Sequence, residues 1–221
     1  MRRNNIRWVE KGDDEYPATE GDRVSDEEMV ESLRVWNPHD SKLAALLVKG
    51  YDDEVPLSPE TKVLYLGAAA GTTPSYVADV TKVVYGVEIA PSPSQRLVEV
   101  AESRQNLMPV VADARKSEEY TPLVEKVDLL YQDVATRDQA EVAVENSKFL
   151  EDGGRLCMMV KARSEDVTAD PEEVYDEVAE SLEDAYEVEE IVDLEPFYSD
   201  HACILGRLRN TRDGDDNETE T

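Results

Sequence analysis

From Lys62 onward, short apolar runs alternate with longer amphipathic stretches. Five runs predict strands, at residues 63–66, 83–87, 107–111, 127–131 and 156–160. Most of the stretches between them predict helices, and this alternation is typical of right-handed βαβ units around a parallel sheet. Two further strand candidates, 186–193 and 201–208, are joined only by a short loop and should pair antiparallel at the sheet edge. We therefore expect an α/β fold with a mostly parallel seven-stranded sheet and an antiparallel C-terminal strand.

Residues 1–55 differ from this pattern and predict a small β-rich N-terminal piece with a linking helix. Strand-like pairs at 8–9 and 16–17 lie on either side of Gly12. A helix capped by Asp40 or Ser41 should stop at Gly50. The main domain would then span 56–209. The stretch 210–221 should be a disordered acidic tail, since its last nine residues hold five acids and no apolar side chain.

The composition is strongly acidic. Among 221 residues, 23 are Lys or Arg and 51 are Asp or Glu, giving a formal net charge of −28. Such a charge makes the compact state repel itself, and multimolar salt would screen that repulsion to a Debye length of about 3 Å. Because of this charge we expect the salt-rich cytoplasm of a halophile. No run approaches the roughly 18 apolar residues of a membrane span, so we expect a soluble, intracellular protein. Cys157 and Cys203 lack metal-ligand spacing, so we expect buried free thiols and no metal.

A turn of small residues follows the first strand of the main domain. It runs from Gly67 through three alanines to Gly71, and Thr72 and Thr73 then begin a predicted helix. Small residues there let a ligand approach the backbone. Glu88 ends the next strand, 21 residues after Gly67, where an acid in such folds binds two ribose hydroxyls. Because the glycines lack dinucleotide spacing, a nucleoside without phosphates, with S-adenosylmethionine as the obvious candidate, fits better. For the two glycines alone, a simple tight turn is an equally good explanation.

Charged residues also end the later strands. Asp113 follows the third strand, Asp133 the fourth, and Lys161 the fifth. The carboxyl ends of parallel strands meet at one edge of the sheet, so Glu88 and these residues can converge on one crevice. Lys42 lies in the first turn of the N-terminal helix, where it opposes the helix dipole and is poorly explained by a structural role.

The order and spacing of six segments resemble the fibrillarin family, in its archaeal fibrillarin-like form. The segments are 36–45 (WNP, then SKLAA), 67–73 (GAAAGTT), 85–88 (YGVE), 113–115 (DAR), 131–135 (YQDVA) and 200–202 (DHA). The resemblance extends to about Arg209. It implies a Rossmann-like S-adenosylmethionine-dependent methyltransferase fold and ribose 2′-O-methylation of rRNA and tRNA. It also implies a ribonucleoprotein with a Nop-domain scaffold protein, a kink-turn-binding ribosomal-type protein and a box C/D guide RNA, and no membrane partner.

The resemblance also implies site residues. The cofactor-binding set would be Gly67, Ala68, Gly71, Thr72, Thr73, Glu88, Ile89, Asp113, Ala114, Asp133, Val134, Ala135 and Thr136. Within it, the two threonines and 133–135 would line the methionine end, Glu88 the ribose, and 113–114 the adenine. The catalytic tetrad would be Lys42, Asp133, Lys161 and His201. Lys161 could accept the proton of the ribose hydroxyl if Lys42 favours its neutral amine and Asp133 holds it in place.

The sequence departs from the usual residues of the family at three places. Asp40 stands where archaeal relatives usually carry a basic residue, His39 where an aromatic is usual, and Thr136-Arg137 where Gln-Pro is typical. The last departure puts Thr136 as a cofactor ligand in doubt.

Three alternative functions fit parts of the sequence: a stand-alone RNA 2′-O-methyltransferase, a non-catalytic scaffold subunit and an NAD-dependent oxidoreductase. The oxidoreductase gives no role to the two lysines.

Overall fold

A computed structural model of the protein describes residues 6–209. The predicted disordered tail, 210–221, lies outside the described residues. No helix in the described part of the chain is long and apolar enough to cross a bilayer.

The N-terminal part of the chain forms a four-stranded antiparallel sheet. Its strands are β1 (Arg7–Lys11), β2 (Asp14–Glu20), β3 (Met29–Val30) and β4 (Leu33–Val35), in the order β1-β2-β4-β3. Gly12 has φ +68° in the β1–β2 turn, a conformation that glycine adopts at no steric cost. The two strand-like pairs seen in the sequence are thus the two arms of one hairpin.

The rest of the chain builds a seven-stranded sheet, and the predicted fold class is confirmed. Its strands are β5 (Lys62–Leu66), β6 (Val83–Glu88), β7 (Leu107–Val111), β8 (Val127–Gln132), β9 (Leu150–Lys161), β10 (Tyr186–Asp193) and β11 (His201–Leu208). The order is β10-β11-β9-β8-β5-β6-β7. Neighbours from β9 to β7 pair parallel, whereas β11 pairs antiparallel with both β9 and β10.

The described residues contain six α-helices. They are α1 (Lys42–Val48), α2 (Thr72–Val80), α3 (Pro91–Ala101), α4 (Gln139–Asn146), α5 (Ala162–Glu165) and α6 (Pro171–Glu180). Of the two predicted caps for α1, Ser41 is the one used, because its hydroxyl accepts a hydrogen bond from the Ala44 amide. The last turn, 49–50, ends at Gly50, which has φ +94°.

Apolar side chains cover both faces of the seven-stranded sheet. One cluster joins one face to α1, α2 and α3, and the other joins the opposite face to α4 and α6. Burial on both faces explains why the parallel strands read as unbroken apolar runs. Cys157 and Cys203 are free and buried, as expected, with their sulfurs 3.6 Å apart.

Candidate active site

The turn after β5 packs directly against the segment after β8. Gly67 has φ +81°, and a Cβ on it would lie 2.2 Å from the main-chain oxygen of Asp133. Gly71 has φ +85°, and its Cβ would lie 3.0 Å from a methyl group of Leu97 on α3. Ala68 is buried beneath the turn. These contacts give all three residues a packing role, and cofactor binding by each of them remains a prediction.

A cavity of about 390 Å³ opens at the carboxyl ends of β6, β7 and β8; we call it the Glu88 cavity. Nine residues of the predicted cofactor set line it: Gly67, Glu88, Ile89, Asp113, Ala114, Asp133, Val134, Ala135 and Thr136. The three acids that end successive strands therefore reach one cavity. Five lining residues were not in the predicted set: Ala69, Val87, Ala112, Arg115 and Val142. Ala69, Val87 and Arg115 lie in segments that the sequence analysis singled out, whereas Ala112 and Val142 gave no signal.

The Glu88 carboxylate is fixed by two main-chain amides. One oxygen accepts a hydrogen bond of 2.9 Å from Ala69, and the other accepts one of 2.7 Å from Ala90. The carboxylate thus bridges the turn after β5 and the start of α3. Each carboxylate oxygen has a second acceptor position, so this group is able to bind two neighbouring hydroxyls at once.

Asp113 and Ala114 form the far wall of the same cavity. The Arg115 guanidinium holds the pKa of the Asp113 carboxyl below its usual value, through hydrogen bonds of 3.0 and 2.7 Å. The Ala114 carbonyl accepts hydrogen bonds from Tyr120 and Asn146, which fix the loop from behind. An ionised acceptor on a fixed loop is suited to a ligand that presents an amino group.

A second cavity, of about 580 Å³, lies between the N-terminal sheet and the starts of α1 and α2; we call it the Thr72 cavity. Thr72 and Thr73 line this cavity and not the Glu88 cavity. The Thr73 hydroxyl donates to the Ser41 hydroxyl at 3.2 Å, joining the starts of the two helices. Of the thirteen predicted cofactor residues, nine therefore line one cavity and two line the other, while Ala68 and Gly71 line neither.

Two members of the predicted tetrad form an ion pair. The Lys42 ammonium lies 2.7 and 2.8 Å from the two carboxylate oxygens of Asp133. The Asp133 amide donates to the Leu66 carbonyl, which ties the end of β8 to β5. The sequence predicts that Asp133 holds Lys161, but its carboxylate contacts Lys42 instead. Within residues 6–209, Lys161 has no ion-pair partner.

Lys161 and His201 lie opposite each other on β9 and β11. The Lys161 amide donates to the buried side chain of Gln139 at 3.2 Å. The His201 Nδ1 atom lies 2.7 Å from the Ser199 carbonyl oxygen, an arrangement that places the ring proton on Nδ1 and leaves Nε2 as an acceptor. Burial lowers the pKa of His201, and the nearby Lys42 and Lys161 cations lower it further.

Tyr198 is a residue that the sequence did not single out, because the loop 195–199 read only as a connection between strands. Its ring centroid lies 5.7 Å from the Lys42 ammonium and 5.8 Å from the His201 ring. Burial raises the pKa of Tyr198, so its hydroxyl stays protonated. The loop therefore brings an aromatic wall to the tetrad.

Several known proteins are similar to this chain over most of its length. Residues 7–210 match the sequence model of the family described as Fibrillarin. The chain is 51% identical over 192 residues to the Fibrillarin-like rRNA/tRNA 2′-O-methyltransferase of Haloarcula marismortui, covering 87% of this chain and 90% of that relative. It is similar to the solved structure of Aeropyrum pernix fibrillarin in complex with natively bound S-adenosyl-L-methionine, with a TM-score of 0.81, 41% identity, and coverage of 91% of this chain and 94% of that one. It is also similar to a chain of the fibrillarin/Nop5p complex, with a TM-score of 0.85, 36% identity, and coverage of 93% and 98%.

Proposed function

The chain belongs to the fibrillarin family, and we propose that it methylates the ribose 2′-hydroxyl of rRNA and tRNA within a guide ribonucleoprotein. It is an enzyme, and S-adenosylmethionine is its cofactor. The observation that carries this function is the position of Asp133, which lines the Glu88 cavity and also binds Lys42. One residue thus joins the cofactor cavity to the tetrad.

The residues of the Glu88 cavity suit the nucleoside part of the cofactor. We assign Glu88 to the ribose hydroxyls, because both of its oxygens are fixed and each keeps a free acceptor position. We assign Asp113 and Ala114 to the adenine, and Asp133, Val134, Ala135, Thr136 and the two threonines to the methionine end. When bound, S-adenosylmethionine supplies a methyl group on a positively charged sulfur.

The tetrad provides for activation of the ribose hydroxyl. A ribose hydroxyl is a weak nucleophile, so it must be aligned and lose its proton to a nearby base. We assign Lys161 as that base. Within residues 6–209 it has no ion-pair partner, and the Asp133 carboxylate binds Lys42 instead. His201 presents Nε2 toward the same edge and serves to position the hydroxyl.

We propose that partner molecules supply the affinity for RNA. A net charge of −28 leaves few cations to bind phosphates, and high salt removes most electrostatic affinity. A relative of this chain forms a complex with Nop5p, which supports a Nop-domain scaffold partner here. A kink-turn-binding protein and a box C/D guide RNA would complete the assembly, and the guide would present one chosen ribose by base pairing. We place the protein in the cytoplasm of a halophilic archaeon, in keeping with its acidity.

A methylation assay in multimolar KCl tests this proposal. We expect no site-specific transfer by the chain alone, and transfer once the scaffold protein, the kink-turn-binding protein and the guide RNA are all added. Efficient site-specific transfer by the chain alone would refute the assembly and indicate a stand-alone enzyme. Calorimetric titration with S-adenosylmethionine and with NAD separates methyl transfer from oxidoreduction. A chain that binds the donor but stays inactive in the full assembly would be a scaffold subunit.

A further inference from the structure

A fully buried arginine lies between the N-terminal sheet and α2. The Arg34 side chain on β4 has 0% exposure. Its guanidinium binds the Asp79 carboxylate at 2.6 Å and the Glu27 carboxylate at 2.8 Å, and it lies 3.9 Å from the Tyr76 ring centroid. A charge this deeply buried requires such partners, because isolated charges are costly to remove from water.

A second arginine completes the group. Arg104 binds the other Asp79 oxygen at 2.9 Å and donates to the Asp22 carbonyl at 2.7 Å. The Thr19 hydroxyl of β2 donates to Asp79 at 2.7 Å. We call Arg34, Asp79, Arg104 and Glu27 the Arg34 cluster; its two cations and two anions balance. Buried ion pairs are often no more stabilising than apolar residues of the same volume, so stability alone does not account for the cluster.

One contact of the Arg34 cluster reaches the start of α2, directly after the turn that follows β5. Arg34 donates a hydrogen bond of 2.8 Å to the Ser75 hydroxyl, and that hydroxyl donates one of 2.7 Å to the main-chain oxygen of Thr72. Thr72 is the first residue of α2 and lines the Thr72 cavity. Gly71, which precedes it, offers no side-chain cap. Ser75 is thus a polar side chain that contacts the backbone at the start of α2, while Glu88 contacts the same turn at Ala69.

We propose that Arg34 is a positioning residue for the cofactor: through Ser75 it fixes the backbone at Thr72, so the N-terminal sheet sets the affinity for S-adenosylmethionine. This inference rests on the proposed function, because it takes Thr72 to be a cofactor residue. It gives the N-terminal sheet a role in the chemistry of the larger domain. Two hydrogen bonds connect β4 to the start of α2, one from Arg34 to Ser75 and one from Ser75 to Thr72.

The test measures S-adenosylmethionine affinity by calorimetry and Tm by thermal unfolding, both on the full chain in multimolar KCl. Ser75→Ala removes the link to Thr72 and leaves the ion pairs of the Arg34 cluster in place. The matched control is Thr19→Val, which removes a hydrogen bond to the same Asp79 but leaves the hydrogen bonds from Arg34 to Ser75 and from Ser75 to Thr72 in place. Arg34→Lys keeps the charge but loses the geometry that reaches Ser75 and Asp79 together.

We expect Ser75→Ala and Arg34→Lys to weaken binding about tenfold, and Thr19→Val to change it less than about twofold while lowering Tm comparably. Equal affinities for Ser75→Ala and Thr19→Val would overturn the positioning role, since the cluster would then be purely structural. A wild-type chain that binds no S-adenosylmethionine would instead overturn the proposed function, and this inference with it.

Discussion

Replacing Gly67 by alanine tests whether the contact between two turns builds the active site. The added Cβ would lie 2.2 Å from the Asp133 oxygen and 2.9 Å from its carbonyl carbon, and both atoms belong to the backbone. Real Cβ contacts are essentially never shorter than 3.0 Å, so the two segments must separate by at least 0.8 Å. Such a separation moves Asp133, and with it the ion pair to Lys42.

Two unfavourable contributions and one favourable contribution determine how much Gly67→Ala changes the free energy of unfolding. A left-handed conformation costs a non-glycine residue about 1–2 kcal/mol, and overpacking costs about 1–3 kcal/mol. Alanine recovers about 0.4–1 kcal/mol by restricting the unfolded chain. We therefore expect Gly67→Ala to lower the free energy of unfolding by about 2–4 kcal/mol and to weaken S-adenosylmethionine binding.

Gly153 provides the matched control. It has φ +71°, close to the value at Gly67, but nothing lies within 4 Å of the position of its Cβ. Gly153→Ala should therefore carry only the backbone cost, about 1 kcal/mol, and leave cofactor affinity unchanged. Denaturant unfolding and calorimetric titration of both variants separate the two contributions. Equal destabilisation by the two substitutions, with equal cofactor affinity, would refute the reasoning.

Four further predictions follow from the site and the charge. Glu88→Ala should weaken S-adenosylmethionine binding by about 1.5–3 kcal/mol, because it removes a charged acceptor of two hydroxyls; unchanged affinity in a folded variant would place the ligand elsewhere. Lys161→Ala should abolish methyl transfer in the assembled complex while cofactor affinity stays within a few-fold. Lys42→Ala should reduce methyl transfer less completely. Near-normal single-turnover rates for the Lys161 variant would exclude Lys161 as the base. Burial lowers the pKa of His201 below its usual 6.5, so the unfolded chain binds this proton more tightly than the folded chain. The free energy of unfolding should therefore fall as pH decreases from about 6.5 through the lowered pKa. His201→Gln should remove that part of the pH dependence, and identical pH profiles of unfolding for the variant and the wild type would contradict the shift. Thermal unfolding should give a lower Tm in about 0.1 M KCl than in multimolar KCl, since the self-repulsion is then poorly screened; a Tm independent of salt would count against it.

The sheet and the strand-end residues were predictable because both depend on local pattern. Strands buried on both faces require continuous apolar runs, and parallel strands bring their carboxyl ends together. Those two rules were enough to bring Glu88, Asp113 and Asp133 to one cavity. Strand β9 begins at 150, earlier than predicted, because the pair 153–154 is glycine and interrupts the apolar run.

The features that escaped prediction depend on distant parts of the chain. The sequence analysis did not single out Arg34, and its burial depends on Asp79, 45 residues later. The choice of Lys42 over Lys161 as the partner of Asp133 depends on how α1 is placed against β8. Tyr198 reaches the tetrad only because its loop folds back over the sheet edge. None of these arrangements produces a periodic pattern of residues in the sequence.

The antiparallel pairing of β11 with β9 has a consequence for how the enzyme becomes competent during synthesis. His201 is brought opposite Lys161 by main-chain pairing, and a slip of one residue would turn its side chain to the other face of the sheet. Because translation proceeds from the N-terminus, β11 emerges from the ribosome after every other strand of this sheet. It then completes the sheet by pairing with β9 and with the edge strand β10. A nascent or truncated chain that has not reached this strand therefore lacks the pairing that sets His201 opposite Lys161.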